Sequence, residues 1–342
     1  MRKIKIANKL VAEGEPTFII AEAGSNHDCN LEQAKKLIDI AADAGVDAVK
    51  FQTFSADKLV AKTSSEAEYM ERSMYDIFED IELPREWLPE LVEYANRRGL
   101  ICLSSTFDKE GVDLLDEIDV PAFKIASGEL TNLPLLKYTA EKGKPMIVST
   151  GASSMDEIKE AITVIESTKN EDVILLHCVS SYPAAVEDAN LKSMVTMRQT
   201  FQLPTGYSDH TLGIVAPLAA VAMDAVMIEK HFTLDRSLHG PDHSYALEPQ
   251  ELKAMVENIR TVEKLLGSSV KQPTKAELKN RRLAGRSIFA KRDIPVGTII
   301  TEEMLALLRP VIGLQPKYLE AVVGRKARTN IKQYEPITWD KI

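Results

Sequence analysis

Four of the chain's six histidines, His210, His231, His239 and His243, fall within residues 206–247. His210 follows the run Thr-Gly-Tyr-Ser-Asp, and His231 follows Ala-Val-Met-Ile-Glu-Lys. If both runs are neighbouring parallel strands, the two imidazoles emerge at the same end of one sheet. Paired imidazoles there can share a divalent metal, with carboxylate or water completing the shell. The residues alone leave a second account open, in which both rings are satisfied by hydrogen bonds at strand ends.

Two lysines point to an anion. Lys50 sits in DAVKFQ and Lys124 in AFKIAS, and an ammonium inside an apolar strand is costly to bury without a counter-charge. Together with the hydroxyls of Ser127, Ser149 and Thr150, they can hold a small doubly charged acid carrying phosphate and carboxylate. A structural ion pair is the plainer account of either lysine. A Schiff-base aldolase with Lys124 as nucleophile is a third, and the histidine pair speaks against it, because amine catalysis needs no metal.

The elements that must position these groups are short apolar runs at 17–22, 47–52, 100–106, 122–127, 145–150, 173–178, 205–210 and 225–231. Several are apolar almost throughout, as strands buried on both faces of a parallel sheet are. Helical patterns at 31–44, 86–98, 132–142, 155–167 and 249–266 lie between or after them, four of them stopping at Gly45, Gly99, Gly143 and Gly267. Eight strand–helix units in this length predict an α/β fold, a (β/α)8 TIM barrel. A doubly wound sheet is disfavoured, because no glycine-rich fingerprint follows the first strand. In a barrel the C-terminal strand ends form the site. Those ends carry Glu22; Lys50 and Gln52; Ser105 and Thr106; Lys124 and Ser127; Ser149 and Thr150; His177, Ser180 and Tyr182; Ser208, Asp209 and His210; and Glu229, Lys230 and His231. The long segment 45–84, with Tyr69, Met70, Met74, Tyr75 and Phe78, is expected to shape a pocket or an interface.

The domains predicted are a barrel over 1–267, a polar linker over 268–284 and a small β-rich domain over 285–342. The last holds ten Lys+Arg against six Asp+Glu, a charge of +4, which leaves -13 of the net -9 for residues 1–284. This acidic balance argues against nucleic acid or an anionic membrane as partner. Cys29, Cys102 and Cys178 show no CxxC spacing and read as thiols of a reducing compartment. No run approaches the ~20 apolar residues of a membrane span, and no leader pattern opens the chain, so a cytoplasmic location is expected.

The segments IAEAGSNHDCN, AVKFQT, STFD, FKIASGE, PMIVSTGAS, LLHCVSSYPA, GYSDHT and EKHFTLDRSLHGPDHSYAL, with a tail opening GRSIFAKRDIPVGTIIT, closely resemble the sialic acid synthase family. These are phosphoenolpyruvate-condensing synthases of nine-carbon keto acids with a C-terminal antifreeze-like (SAF, β-clip) domain. The resemblance implies that phosphoenolpyruvate adds to the aldehyde of an N-acetylated amino sugar and loses phosphate. It implies a divalent metal, Mn2+ before Mg2+ or Co2+, on His210 and His231. Lys50, Thr106, Lys124, Ser127, Ser149 and Tyr182 would line the phosphoenolpyruvate site, with Thr150, Ser180 and Ser208 completing the substrate-binding set. Glu22, Gln52 and Asp242 would contact the sugar. Glu22 would also move protons near the aldehyde, so that Glu22, Lys50, Lys124 and Tyr182 form the catalytic set. Asp242 would hold a metal-bound water, with His239 and His243 shaping the pocket beside it. The resemblance further implies a domain-swapped homodimer in which Arg309 reaches the sugar. Two departures stand out: Val311 where glycine tends to follow Arg309-Pro310, and Ser180 or Ser181 where some members have asparagine. The sugar implied first is N-acetylmannosamine, giving N-acetylneuraminate. The alternatives are a 6-phosphorylated sugar, or a diacetamido-dideoxy hexose giving legionaminic or pseudaminic acid, and FQTFSADKLV favours the sialic and legionaminic branches. A seven- or eight-carbon keto acid synthase and a non-catalytic carbohydrate- or ice-binding protein are more distant readings.

Overall fold

A computed structural model of the chain describes residues 2–62 and 73–342. It divides into two compact units, Met1–Gly267 and Ser268–Ile342. The first opens with a hairpin of β1 (Ile4–Ile6) and β2 (Lys9–Val11), which the hydrophobic pattern did not predict. Eight parallel strands follow: β3 (Phe18–Gly24), β4 (Ala48–Thr53), β5 (Ile101–Thr106), β6 (Phe123–Ile125), β7 (Met146–Ser149), β8 (Val173–Cys178), β9 (Thr205–Asp209) and β10 (Met227–His231). They pair in sequence order, and β10 closes on β3 to make a barrel, which excludes the doubly wound sheet.

Strand side chains alternate between the barrel's interior and its helix-covered outside. Phe18, Ile20, Ala48, Leu103, Ala122, Ile147, Ile174, Leu176 and Met227 form one buried interior cluster. Ile4, Ile6 and Val11 of the hairpin belong to the same cluster, so the hairpin covers the N-terminal end of the barrel with apolar surface. Ile19, Val49, Phe51, Phe123 and Ile228 face the other way, into a cluster shared with the helices. This parity sets which polar residue at each strand end looks inward.

The helices begin and end where their caps dictate. Asn30 accepts from the Gln33 N–H at the start of Leu31–Ala44, and Gly45 ends that helix at φ 79. Ser154 and Glu157 form a capping box for Met155–Ser167. The predicted helix at 86–98 is a 3-10 turn followed by Leu88–Arg97, and that at 132–142 is Leu133–Ala140. In the long excursion, Phe78 packs edge-on against Phe54 at 5.4 Å. Tyr69 and Met70 lie outside the described residues.

In the second unit the expected linker is corrected in part. Residues Lys275–Ala284 are a helix, started by a Thr274–Glu277 capping box. None of its residues is buried, so its polarity reflects a solvated helix rather than an unstructured spacer. Beyond it β11 (Ser287–Ala290) and β12 (Leu305–Leu308) pair antiparallel, and three isolated antiparallel bridges complete the β structure. Ile288, Ile294, Ile300, Val322, Ile331 and Ile337 form this unit's own core.

Close strand contact depends on Gly206, where an added Cβ would stand 2.3 Å from the Met227 carbonyl oxygen and 2.8 Å from Met227 Cβ. Gly206→Ala is therefore expected to destabilise the barrel by about 1–3 kcal/mol, read as a fall in thermal midpoint. An unchanged midpoint would mean that β9 and β10 approach less closely here.

Candidate active site

Above the apolar floor the interior changes character within one residue step. Glu22, two positions beyond Ile20 on the inward side of β3, stands in register with Lys50 of β4. Their side chains form a buried ion pair, Lys50 Nζ to Glu22 Oε2 at 2.7 Å. Gln52 donates to Glu22 Oε1 at 2.8 Å, and Lys50 donates to Ser105 Oγ at 3.0 Å. Lys124 donates to Ser149 Oγ at 2.7 Å and to the Ile125 carbonyl at 3.0 Å. Glu229 lies between the two ammoniums, with Oε1 3.8 Å from Lys50 Nζ and 3.7 Å from Lys124 Nζ, and accepts from Ser208 at 3.1 Å. Its Oε2 is buried without a hydrogen-bond partner among the described residues.

This layer is two ammoniums and two carboxylates removed from water. Burial, opposed by Lys50 and reinforced by Glu229, lifts the Glu22 carboxyl to about 7. Burial also lowers Lys124. Burial works against charge on Lys50 as well, but Glu22 and Glu229 outweigh it and hold the ammonium charged. Lys124 and Lys50 overcome burial at Glu229 and keep its carboxyl low. The orphaned Glu229 oxygen can accept a proton or a hydrogen bond, and the two buried lysines can meet an anion.

The histidines form the next tier. Their ring centroids are 5.4 Å apart. His210 Nδ1 lies 2.8 Å from the Val179 carbonyl, so it carries the proton and leaves Nε2 with a lone pair. His231 Nδ1 is buried, has no hydrogen-bond partner, and stands 3.7 Å from Asp242 Oδ2. Burial, against the pull of Asp242, lowers His231 to about 3, and burial lowers His210 too. Both rings are neutral at pH 7, the state that binds a metal. Among the described residues no group of three or more His, Cys, Asp or Glu side chains is placed to hold a metal ion. Two neutral imidazoles beside a carboxylate fit a site whose remaining positions come from outside the protein, as catalytic metal sites require.

Residues 37–271 match the NeuB family, and residues 285–342 match the SAF domain. The chain belongs to the NeuB family. It is an enzyme, since members of this family are acid synthases that condense phosphoenolpyruvate with a sugar. The chain is 44% identical to the N,N'-diacetyllegionaminic acid synthase of Legionella pneumophila, across 95% of this chain and 94% of that protein. It is 36% identical to the human N-acetylneuraminate-9-phosphate synthase, across 94% and 91%. Among solved structures it is similar to the N-acetylneuraminic acid (sialic acid) synthetase of Leptospira borgpetersenii in complex with citrate. That match has a TM-score of 0.75 and 36% identity, and covers 82% of this chain and 95% of that one.

In this NeuB-family barrel the structure brings Glu22, Lys50, Gln52, Lys124, Ser149 and Ser208 together in one layer, with His210, His231 and Asp242 beside it. Ser127 and Ser180 converge over Gly151, where an added Cβ would stand 2.8 Å and 2.2 Å from their hydroxyls. Tyr182 is set against the histidines, its ring 4.2 Å from His210 and 6.3 Å from His231. Two residues are placed elsewhere. Thr150 has the outward parity of Val148, and its hydroxyl donates to the Leu176 carbonyl at 3.0 Å. Ser105, rather than Thr106, shares the inward parity of Leu103, and the Thr106 hydroxyl is buried without a partner. Arg309 lies in the second unit, exposed, directly after β12. Lys230 faces outward in a buried ion pair with Asp209 at 2.5 Å, a structural role.

Sequence reasoning named Glu229 at its strand end but gave it no part. Counting back two residues from His231 would have found it. Ser105 carries the same signal by counting from Leu103. Ser25 and Tyr245, which hold Asp242 at 3.1 Å and 2.6 Å, lie in loops with no period to read.

Glu229→Gln removes one negative charge from this layer and leaves both lysines short of a partner. The loss expected is about 3 kcal/mol of stability without ligand. Part of it should return when phosphoenolpyruvate is added, measured as a larger thermal shift than in the parent protein. Equal shifts in the two proteins would show that Glu229 does not face the anion.

Proposed function

We propose that the protein condenses phosphoenolpyruvate with the open-chain form of an N-acetylated amino sugar, giving a nine-carbon 2-keto acid and phosphate. The observation that carries this reading is the layer of Lys50 and Lys124 with Ser105 and Ser149, two ammoniums and two hydroxyls deep in a barrel mouth. A three-carbon acid bearing carboxylate and phosphate matches that charge pattern. Carbon 3 of phosphoenolpyruvate bonds to the aldehyde carbon, water adds at carbon 2, and the carbon–oxygen bond to phosphate breaks. Lys50 and Lys124 offset the charge of the two acid groups and hold carbon 3 toward the rim. Glu22, with its carboxyl near 7, gives or takes a proton at the aldehyde oxygen. Gln52 and Asp242 orient the sugar. His210 and His231 would hold a divalent metal, Mn2+ in the first instance, which supplies Lewis acidity at the aldehyde when bound. A homodimer belongs to the same proposal and is tested by the mass of the protein in solution.

For the sugar, the relatives shift the weight. The sequence alone put N-acetylmannosamine first. The higher identity to the diacetyllegionaminic acid synthase than to the N-acetylneuraminate-9-phosphate synthase, 44% against 36%, favours a diacetamido sugar.

The test is phosphate release from phosphoenolpyruvate with Mn2+, across N-acetylmannosamine, its 6-phosphate and the two diacetamido sugars. Release is expected with a diacetamido sugar, abolished by a chelator and restored by Mn2+. Release with N-acetylmannosamine alone would overturn the sugar, and release that survives chelation would overturn the metal. No release with any of the four would overturn the reaction.

A further inference from the structure

We infer that His243 is a positioning residue for Asp242, acting through a buried chain of hydrogen bonds, Asp28–His243–Thr233, that ties the loop after β3 to the loop after β10. The inference rests on the reading of Asp242 as part of the sugar site.

His243 is fully buried, and both its ring nitrogens are engaged. Nε2 lies 2.9 Å from Asp28 Oδ1, and Nδ1 lies 2.6 Å from Thr233 Oγ1. A nitrogen facing a carboxylate must donate, so in the neutral ring Nδ1 accepts from the Thr233 hydroxyl. Each end of the chain is anchored. The other oxygen of Asp28 accepts from Gln33 in the first turn of Leu31–Ala44. Thr233 is fully buried, and its N–H donates to the Leu247 carbonyl at 2.9 Å. The Leu247 N–H returns to the His231 carbonyl, also at 2.9 Å, so residues 233–247 leave the barrel and come back to the same strand end.

Asp242 is the residue before His243 in that loop. Its carboxylate accepts from Ser25 N and Oγ at 3.3 and 3.1 Å and from the Tyr245 hydroxyl at 2.6 Å. Ser25 belongs to the loop after β3 and Tyr245 to the loop after β10. The geometry of Asp242 therefore depends on the distance between two loops, and the side-chain tie between them besides the Ser25–Asp242 bond itself is the His243–Asp28 bond, supported by Asn26 Nδ2 to the Phe232 carbonyl at 2.8 Å.

The backbone around the tie is shaped to let it form. Asp28 and Cys29 have φ of 48 and 49, consecutive left-handed residues without a glycine, which is uncommon. A Cβ on Gly240 would stand 2.8 Å from His243 Cδ2, 3.1 Å from Nε2 and 3.3 Å from Asp28 Oδ1. A Cβ on Gly24 would stand 2.6 Å from Asp242 Oδ2. No hydrogen bond or ion pair joins Asp28, His243 or Gly240 to Lys50 or Lys124, so the tie serves the carboxylate at the rim and leaves the lysine layer alone.

The test compares His243→Phe, which keeps ring volume and loses both bonds, with Asp28→Leu, Asp28→Asn and the milder Gly240→Ala. In His243→Phe and Asp28→Leu the KM for the sugar should rise about tenfold, with the KM for phosphoenolpyruvate unchanged. Asp28→Asn still offers an acceptor oxygen and should rescue most of the effect, and Gly240→Ala should fall between. A crystal structure of His243→Phe should show Asp242 displaced from Ser25 and Tyr245. Asp242 unmoved, or both KM values rising together, would overturn the inference. If the parent protein released no phosphate, the reaction would be wrong, and the displacement of Asp242 would still decide the tie.

Discussion

The site depends on charge neutrality inside the barrel. Lys50, Lys124, Glu22 and Glu229 occupy one interior layer, almost wholly out of water. No single one of them would stay ionised there alone, because an isolated buried ion costs more than the stability of a domain and the group neutralises instead. The four hold each other in place, and the arrangement is incomplete: Glu229 keeps one oxygen without a hydrogen-bond partner. A fully satisfied quartet would be a structural ion cluster. An unsatisfied one keeps polar capacity for a ligand, at a cost that the surrounding structure must meet.

That cost is met directly below. The inward residues Phe18, Ile20, Ala48, Leu103, Ala122, Ile147, Ile174, Leu176 and Met227 on the N-terminal side are apolar, and the hairpin residues Ile4, Ile6 and Val11 close the end. The floor excludes water from beneath the ion layer, which raises the strength of every interaction in it and forces the carboxyl of Glu22 upward. The chain places apolar floor and charged layer two residues apart on the same strands, Ile20 beneath Glu22, Ala48 beneath Lys50, Ala122 beneath Lys124 and Met227 beneath Glu229. The strand period of two converts that spacing into depth.

The same period explains what the sequence made legible. The eight strands could be read from continuous apolar runs, and the lysines from their interruption of two of those runs. What the runs do not declare is which neighbour looks inward. Ser149 and Thr150 are adjacent hydroxyls, and only the first reaches the site, because the second has the parity of Val148. Glu229 and Lys230 are adjacent ions, and the first faces the lysines while the second makes a separate pair with Asp209. Parity was available from the sequence once a single inward residue was known. The partners of Asp242 were not available, since Ser25 is a tertiary contact 217 residues away along the chain and Tyr245, 3 residues away, meets it within a loop that has no period to read. The helix Lys275–Ala284 escaped for another reason: all its residues are solvated, so it has no apolar stripe, and only the Thr274–Glu277 box announces it.

Strand-borne and loop-borne groups thus divide the site by origin as well as by depth. The lysine layer is fixed by barrel register, and a change there would alter the packing of the floor. Asp242, Tyr182, Ser25 and Tyr245 stand on loops, held by side-chain hydrogen bonds and ring contacts that can be exchanged without touching the barrel. A scaffold built this way can keep one acid partner while its second partner varies. That is the pattern seen among relatives that share this chain's length and family yet are named for legionaminic, pseudaminic and neuraminic products. On the function proposed, selectivity for the sugar would rest on how the rim loops are tied together, and the tie at Asp28 and His243 would set the position of the rim carboxylate beside His231.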